Sequence, residues 1–322
     1  MKKKLFALAA ALAATVLAFT LGGCGATVSA VLDSPMPWDM PTLYERLDFK
    51  TEKYLMKVEE GISVKDKLLA EGSLSFTLEE AGDGKAKLTT SAVIRYNTDE
   101  ANGIDSGKTD RAESEVIFSK TNLLPVSSKK TVVQESREGK ENNSYSLDVS
   151  YSDNAATFKW TERSGEPLSS TVNASGQVFD NEQLFFAVRA FSAVIEKGSQ
   201  SFMLYTPADA FIYNRGVRSM RITVASEKNK LSLDKYVGEK QYGLEKNEGG
   251  YLETECYPTQ ISLGEDKSGP PINVYYSAKP FAVSPHISTY KVPVQIVEAS
   301  YGTSLERTVN TFHSLSDYKA SF

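Results

Sequence analysis

VFDNEQLFFAVRAFSA, residues Val178 to Ala193, is the stretch that decides the fold. It reads as a helix in a chain that otherwise alternates like β-strand. Asp180 is a capping residue, and Gln183 stands three positions on, the spacing of a capping box. Phe179 before the cap and Leu184 after it are placed as a hydrophobic staple. Leu184, Val188, Phe191 and Ile195 recur at helical spacing, Phe185 and Ala187 widen the stripe, and Gly198 is the expected stop. A helix with sheet on both sides in sequence must pack on that sheet or plug it.

Outward from the helix, the chain reads as short antiparallel strands. GSLSFTLEE and AKLTTSAVIRYN form a hairpin across Asp83-Gly84, the strongest short turn signal. A polar loop, Thr98 to Asp110, leads to AESEVIFSK, then to a strand over Leu124–Glu135. Ser144–Ser152, Ala155–Arg163 and Ser169–Val172 continue the series up to the helix. Strands restart at Ser201–Tyr205 and Arg218–Ala225. YLETECYPTQISL, INVYYSA (Ile272–Ala278), VPVQIVEAS (Val292–Ser300) and Ser304–Thr311 complete it.

So long a sheet must curl to limit its open edges. The expected fold is mainly β: an antiparallel meander curled into a half-barrel or open barrel around one central α-helix. Leu184, Phe185, Val188 and Phe191 are then buried in the concave face. No composition break or internal repeat divides residues 46–322, which read as a single β-rich domain.

The N-terminus carries an address. Lys2 to Lys4 precede an uncharged apolar run from Leu5 to Leu21, and then Leu21-Gly22-Gly23-Cys24. Small residues before a Cys, straight after an apolar run, resemble the lipobox of bacterial lipoproteins. That resemblance implies a signal peptide over 1–23 and diacylglycerol on the Cys24 thiol. It also implies a tether over 24–45 and an extracytoplasmic domain lipid-anchored to the cell membrane. The competing reading is an uncleaved anchor, for which the run is slightly short. Cys256 is the other cysteine; it lies in an alternating strand and reads as a buried, inert thiol.

Without Lys2 to Lys4 the chain holds 33 basic and 41 acidic side chains, net −8. That balance argues against a nucleic-acid partner. No residue is nominated as catalytic, no metal site is expected and no cofactor is implied. His286 and His313 lack partners at metal-ligand spacing and read as loop and strand-end residues. Asp99, Glu100, Asp105 and Asp110 offer oxygen ligands for calcium, but not at EF-hand spacing, so a solvated loop is the plainer reading.

Phe185, Phe186, Arg189, Tyr205 and Tyr275 are the candidate ligand-binding residues, each with a structural alternative. The aromatics line an apolar pocket or are plain core. Phe185 and Phe186 diverge by about 100° on the helix, so one faces the sheet and the other a pocket or partner. Arg189 anchors an anionic head group or pairs with a strand carboxylate.

Phe179-Asp180 opening a helix with Leu184, Phe185 and Arg189 is followed by Asn273-Val-Tyr-Tyr-Ser277, then Val292-Pro-Val-Gln-Ile296 and a turn at Gly302. This order, over about residues 50–312, is similar to bacterial envelope proteins of the domain-of-unknown-function 3108 type. The resemblance implies a long antiparallel half-barrel, like carriers that hold an apolar ligand in a concave sheet. The segments 235–250 and 284–290 depart from it. That family has no established activity. The expected function is therefore non-catalytic: binding of a lipid or other apolar or amphipathic ligand, or of an envelope protein, in the concave face. A structural or assembly role through strand edges is the alternative, and an unrecognised enzyme the third.

Overall fold

The computed structural model describes residues 44, 47, 49–61, 67–97, 107–136, 143–162, 165–174, 176–194, 198–213, 216–224, 228–233, 245–246, 252–263, 270–278, 292–301 and 308–320, with 61, 67, 190–194, 198–200, 208, 212–213, 224, 230, 232–233, 245–246, 252, 263, 300–301, 308 and 320 described by their backbone alone. The first half is a meander: β1 (Phe49–Gly61), β2 (Lys67–Gly82), β3 (Lys85–Tyr96), β4 (Thr109–Ser119), β5 (Pro125–Gln134), β6 (Tyr145–Ser152), β7 (Ala155–Glu162) and β8 (Leu168–Asn173). A three-residue strand β9 (Val178–Asp180) and a 3-10 turn (Asn181–Gln183) lead into helix α1 (Leu184–Val194). Then come β10 (Gly198–Tyr205), helix α2 (Pro207–Tyr213), β11 (Val217–Val224), β12 (Asn229–Leu233) and β13 (Glu245–Lys246). The chain closes with β14 (Leu252–Leu263), β15 (Ile272–Ser277), β16 (Pro293–Tyr301) and β17 (Thr308–Ala320).

All seventeen strands belong to one sheet. β1 is hydrogen-bonded to β2 on one side and to β17 on the other, so the two halves of the chain meet along it. From β1 the meander runs outward to β8. In the other direction β17 leads through β16, β15, β14, β11 and β10 to β9. β12 and β13 lie alongside the start of β14. The pairing is antiparallel except at β9–β10. β8 and β9 end the order without pairing to each other among the described residues. The sheet is therefore an open barrel, as expected.

Period-two sequence explains the curl. β3 alternates strictly, with Ala86, Leu88, Thr90, Ala92, Ile94 and Tyr96 buried on one face. β4 buries Asp110, Ala112, Ser114, Val116 and Phe118 while Arg111, Glu113 and Glu115 face solvent. Apolar in and charged out is the reverse of a lipid-facing barrel. Among the described residues, no helix is long and apolar enough to cross a membrane. Asp83 and Gly84 turn the β2–β3 hairpin with φ of 50° and 69°, the left-handed geometry of a type I′ turn. At Gly72 the backbone of β3 comes so close that a β-carbon would stand 2.0 Å from the Val93 carbonyl oxygen.

Several expectations need correction. The helix begins at Leu184, not Val178, because Val178 to Asp180 are drawn into pairing with β10. It is not alone: α2 also forms, with Asp209 in its first turn. Residues 49–61 form β1, an assignment the sequence reading did not make. Gly198 opens β10 rather than stopping the helix, and the side chains of Phe191 and Ile195 lie outside the described residues.

Candidate functional site

The concave face is where a ligand was expected, and it is occupied by α1. The helix start is built as its sequence demands. Asp180 is extended (φ −71°, ψ 142°) and accepts from the Glu182 N–H at 2.7 Å, while the Asp180 N–H donates to Gln183 Oε1 at 3.2 Å. Gln183 Nε2 also donates to the Leu123 carbonyl at 3.2 Å, tying the helix to the β4–β5 turn. From Asn181 through Arg189 every side chain is buried. A helix buried on all sides is a core element rather than an amphipathic cover.

Two charges on this buried segment meet opposite charges on one row of the sheet. Across neighbouring strands the inward residues Glu52, Phe76, Thr90, Ser114 and Lys130 stand side by side. Glu182 receives the Lys130 ammonium at 3.0 Å, and Arg189, seven residues on, pairs with Glu52 at the other end of the row. Glu52 also accepts from the Tyr54 hydroxyl at 2.9 Å. The Arg189 guanidinium lies 4.7 Å from the centroid of Phe49. Burial and the adjacent Glu52 carboxylate hold the Tyr54 phenol well above its ordinary pKa, so it acts there as a donor. Although burial opposes it, the Glu182 carboxylate holds Lys130 above the usual lysine value. Glu182, in the 3-10 turn that leads into α1, also stands at the positive end of the helix dipole.

Arg189 is therefore the structural ion pair of its two readings. The divergence of Phe185 and Phe186 is real, and both rings pack against aromatic residues of the sheet. Phe185 packs edge-on to Phe76 (6.2 Å, 66°) and Phe186 on Phe118 (4.8 Å). Tyr205 is buried against Tyr151 and Phe158. Tyr275 departs from the expected set: it is half-buried and points to the face of β15 opposite Tyr276. Phe49, Glu52, Tyr54, Phe76, Phe185 and Arg189 are among the residues lining a cavity of about 10 Å³, roughly the room one water molecule needs.

The sequence reading missed three of the four charges of this row and helix. Lys130 hides in the pair Lys129-Lys130, where only the even position faces inward. Glu182 resembled an ordinary first-turn acid. Glu52 lies in the strand that was not assigned. The weak signal was the inward phase of Ser128, Lys130 and Val132.

A third buried pair overturns the strand-end reading of His313. Its ring is fully buried on β17, with Nε2 2.8 Å from Glu298 Oε1 on β16. Burial raises the Glu298 carboxyl above its ordinary range, with His313 opposing. Asp110 is not a calcium ligand either. It is buried at the end of β4 and accepts from the N–H and hydroxyl of Ser136 at 2.9 and 2.7 Å. Asp99, Glu100, Asp105, His286 and Cys24 lie outside the described residues, as do residues 284–290 and most of 235–250. No acidic, His or Cys cluster able to hold a metal occurs among the described residues. Cys256 is buried, as read from its strand, and burial pushes its thiol up to about 12.

No family model and no curated protein matches the chain, so the domain-of-unknown-function 3108 resemblance rests on the residues quoted for it. Among solved structures, it is similar to a β-barrel-like protein of domain of unknown function DUF1849 from Brucella abortus. That match has 9% identity and a TM-score of 0.49, and covers 85% of this chain and 99% of that one. A DUF1329 family protein from Desulfovibrio piger gives 9% identity and a TM-score of 0.24, covering 88% and 91%. These likenesses say nothing of what the chain does.

Proposed function

We propose that the chain is an exported lipoprotein, anchored by diacylglycerol on Cys24, that acts by binding an envelope protein rather than by catalysis. The observation that carries this reading is the filled concave face. A carrier version would need α1 to leave. Exposing Leu184, Phe185, Phe186 and Val188, all buried, would cost about 6–12 kcal/mol at 1.5–3 kcal/mol each. That is comparable to the whole stability of an ordinary domain, about 5–15 kcal/mol, before either ion pair is broken. An apolar ligand of any size is thus disfavoured inside, and a polypeptide partner on the exterior is favoured. The buried charges support a structural role for this segment, since Lys130 is engaged by Glu182 and Arg189 by Glu52.

Native mass spectrometry of the protein extracted from membranes tests this. The expected mass is the acylated polypeptide alone, and cross-linking in cells captures a polypeptide. A stoichiometric apolar molecule that co-purifies and is lost on Phe186→Trp would overturn it.

A further inference from the structure

We propose that two copies of this chain pair edge to edge through β8, antiparallel and in one register; this goes beyond the reading above, which assigns no partner surface, and does not depend on the anchor. The two ends of the sheet are treated differently. At one end β9 is three residues long and wholly buried, a short, covered edge that resists pairing. At the other, β8 pairs with β7 in an unbroken register from Ala155↔Asn173 to Trp160↔Leu168, and among the described residues no strand pairs with its far side. Residues 165–169, Thr171 and Asn173 are exposed, so the strand and its approach lie at the surface. Leu168, at 54%, is more open than Leu55, Val126 or Val133, the other exposed large apolar residues described. Behind it stands its cross-strand neighbour Trp160, half-buried, stacked on Tyr145 at 4.0 Å and edge-on to Phe211 at 5.7 Å.

Edge strands are normally guarded by lysine, proline, a bulge or an inward charge. β8 reads LSSTVN, with none of these. The same neutrality selects the occupant. A charged edge would set like charges opposite one another in a self-pair, whereas this one brings no charge to the contact. A two-fold pair also needs a surface complementary to itself, and β8 has one when the axis passes at Ser170. Leu168 then lies opposite the partner's Val172, Ser169 opposite the partner's Thr171, and Ser170 opposite the partner's Ser170. Apolar meets apolar and hydroxyl meets hydroxyl, as Thr171 already meets Thr157 of β7 at 3.2 Å. A one-residue slip would turn inner faces against outer. Moving the axis to Thr171 would put Ser170 against the partner's Val172 and forfeit the apolar pair. A strand of 6 residues makes a contact of the small, transient class, under about 1,200 Å², so the pair is reversible.

Engineered thiols on the full chain in a Cys24→Ala background read the register, since Cys256 is buried. β-Carbons directly opposite in an antiparallel pair stand about 4.5–5.5 Å apart and diagonal ones about 7–8 Å; a disulfide spans about 3.5–4.5 Å. Under mild oxidation Ser170→Cys should therefore give a covalent dimer several-fold faster than Ser169→Cys or Thr171→Cys alone. A mixture of those last two chains should cross-link like Ser170→Cys. Adding Ser169→Lys and Thr171→Lys to Ser170→Cys sets like charges opposite one another and should cut the yield several-fold, less so at high salt. Equal cross-linking at all three positions overturns the pairing. So does a Ser170→Cys chain that unfolds in urea like its parent yet gives no more dimer than the parent does. Either result leaves the lipoprotein reading standing, which the native mass measurement tests separately.

Discussion

Replacing Arg189 by Met removes one member of a buried pair and strips the Glu52 carboxylate of its guanidinium beneath α1, where the Tyr54 hydroxyl still donates to it at 2.9 Å. Both side chains of the pair are nearly inaccessible, at 3% and 4% exposure. Breaking such a pair from one side costs about 3–5 kcal/mol. For a chain of this size that lowers Tm by roughly 6–20 °C. Glu52→Leu alone strands the guanidinium over Phe49 with similar loss. The double variant Glu52→Leu/Arg189→Met removes both charges together and is expected within about 1 kcal/mol of the parent, or above it. Urea unfolding followed by the fluorescence of Trp160 on β7 reads all four forms in a Cys24→Ala background. The interaction energy of the cycle should then be about 3 kcal/mol or more. If the two single losses add to the double loss within about 0.5 kcal/mol, Arg189 and Glu52 do not act on one another, and the account of how α1 is seated fails.

Gly72→Ala forces a β-carbon against the Val93 carbonyl oxygen, and should lose at least about 1–3 kcal/mol; unchanged urea midpoints would refute that close approach. Burial raises the Glu298 carboxyl above its ordinary range. A carboxyl with a raised folded pKa binds its proton more tightly folded than unfolded. Its contribution is therefore full below the unfolded value near ~4 and is lost as pH climbs through the folded value. Tm should fall with rising pH in that window, and less steeply in Glu298→Gln; identical slopes would sink the assignment. The Cys256 thiol, pushed up to about 12 by burial, should resist an aromatic disulfide reagent at pH 8 and react fully in urea, and rapid labelling of the folded chain would contradict its placement.

The fold class was legible because alternation survives wherever the inward face is apolar: Leu88, Ala92 and Ile94 on β3 announce their strand. It was lost in β1, where the inward series Glu52, Tyr54, Met56 and Val58 opens on a carboxylate and the outward series includes Leu55. Burial of Glu52 is a tertiary fact, created by Arg189 137 positions away. The cap of α1 was legible for the opposite reason, since Asp180 and Gln183 satisfy local backbone groups. Of the aromatic candidates, Phe185, Phe186 and Tyr205 are packed against other rings, while Tyr275 lies on the other face of its strand. An apolar side chain facing a cavity and one facing a neighbour look the same in sequence, and only packing separates them. His313 was misjudged because its partner, Glu298, is a cross-strand neighbour rather than a local one.

The placing of β1 between β2 and β17 has a consequence in time. β2 is available almost at once, but the register from Phe49↔Ala320 to Gly61↔Thr308 joins the first strand to the last. A chain made N-terminus first cannot complete β1 until β17 has emerged. Contacts between such distant positions are the slowest to form. Until then one edge of the first strand is unclaimed and open to proteases and to chaperones. Removing β17 (Thr308–Ala320) would make that interval permanent, so this strand acts as the clasp on β1.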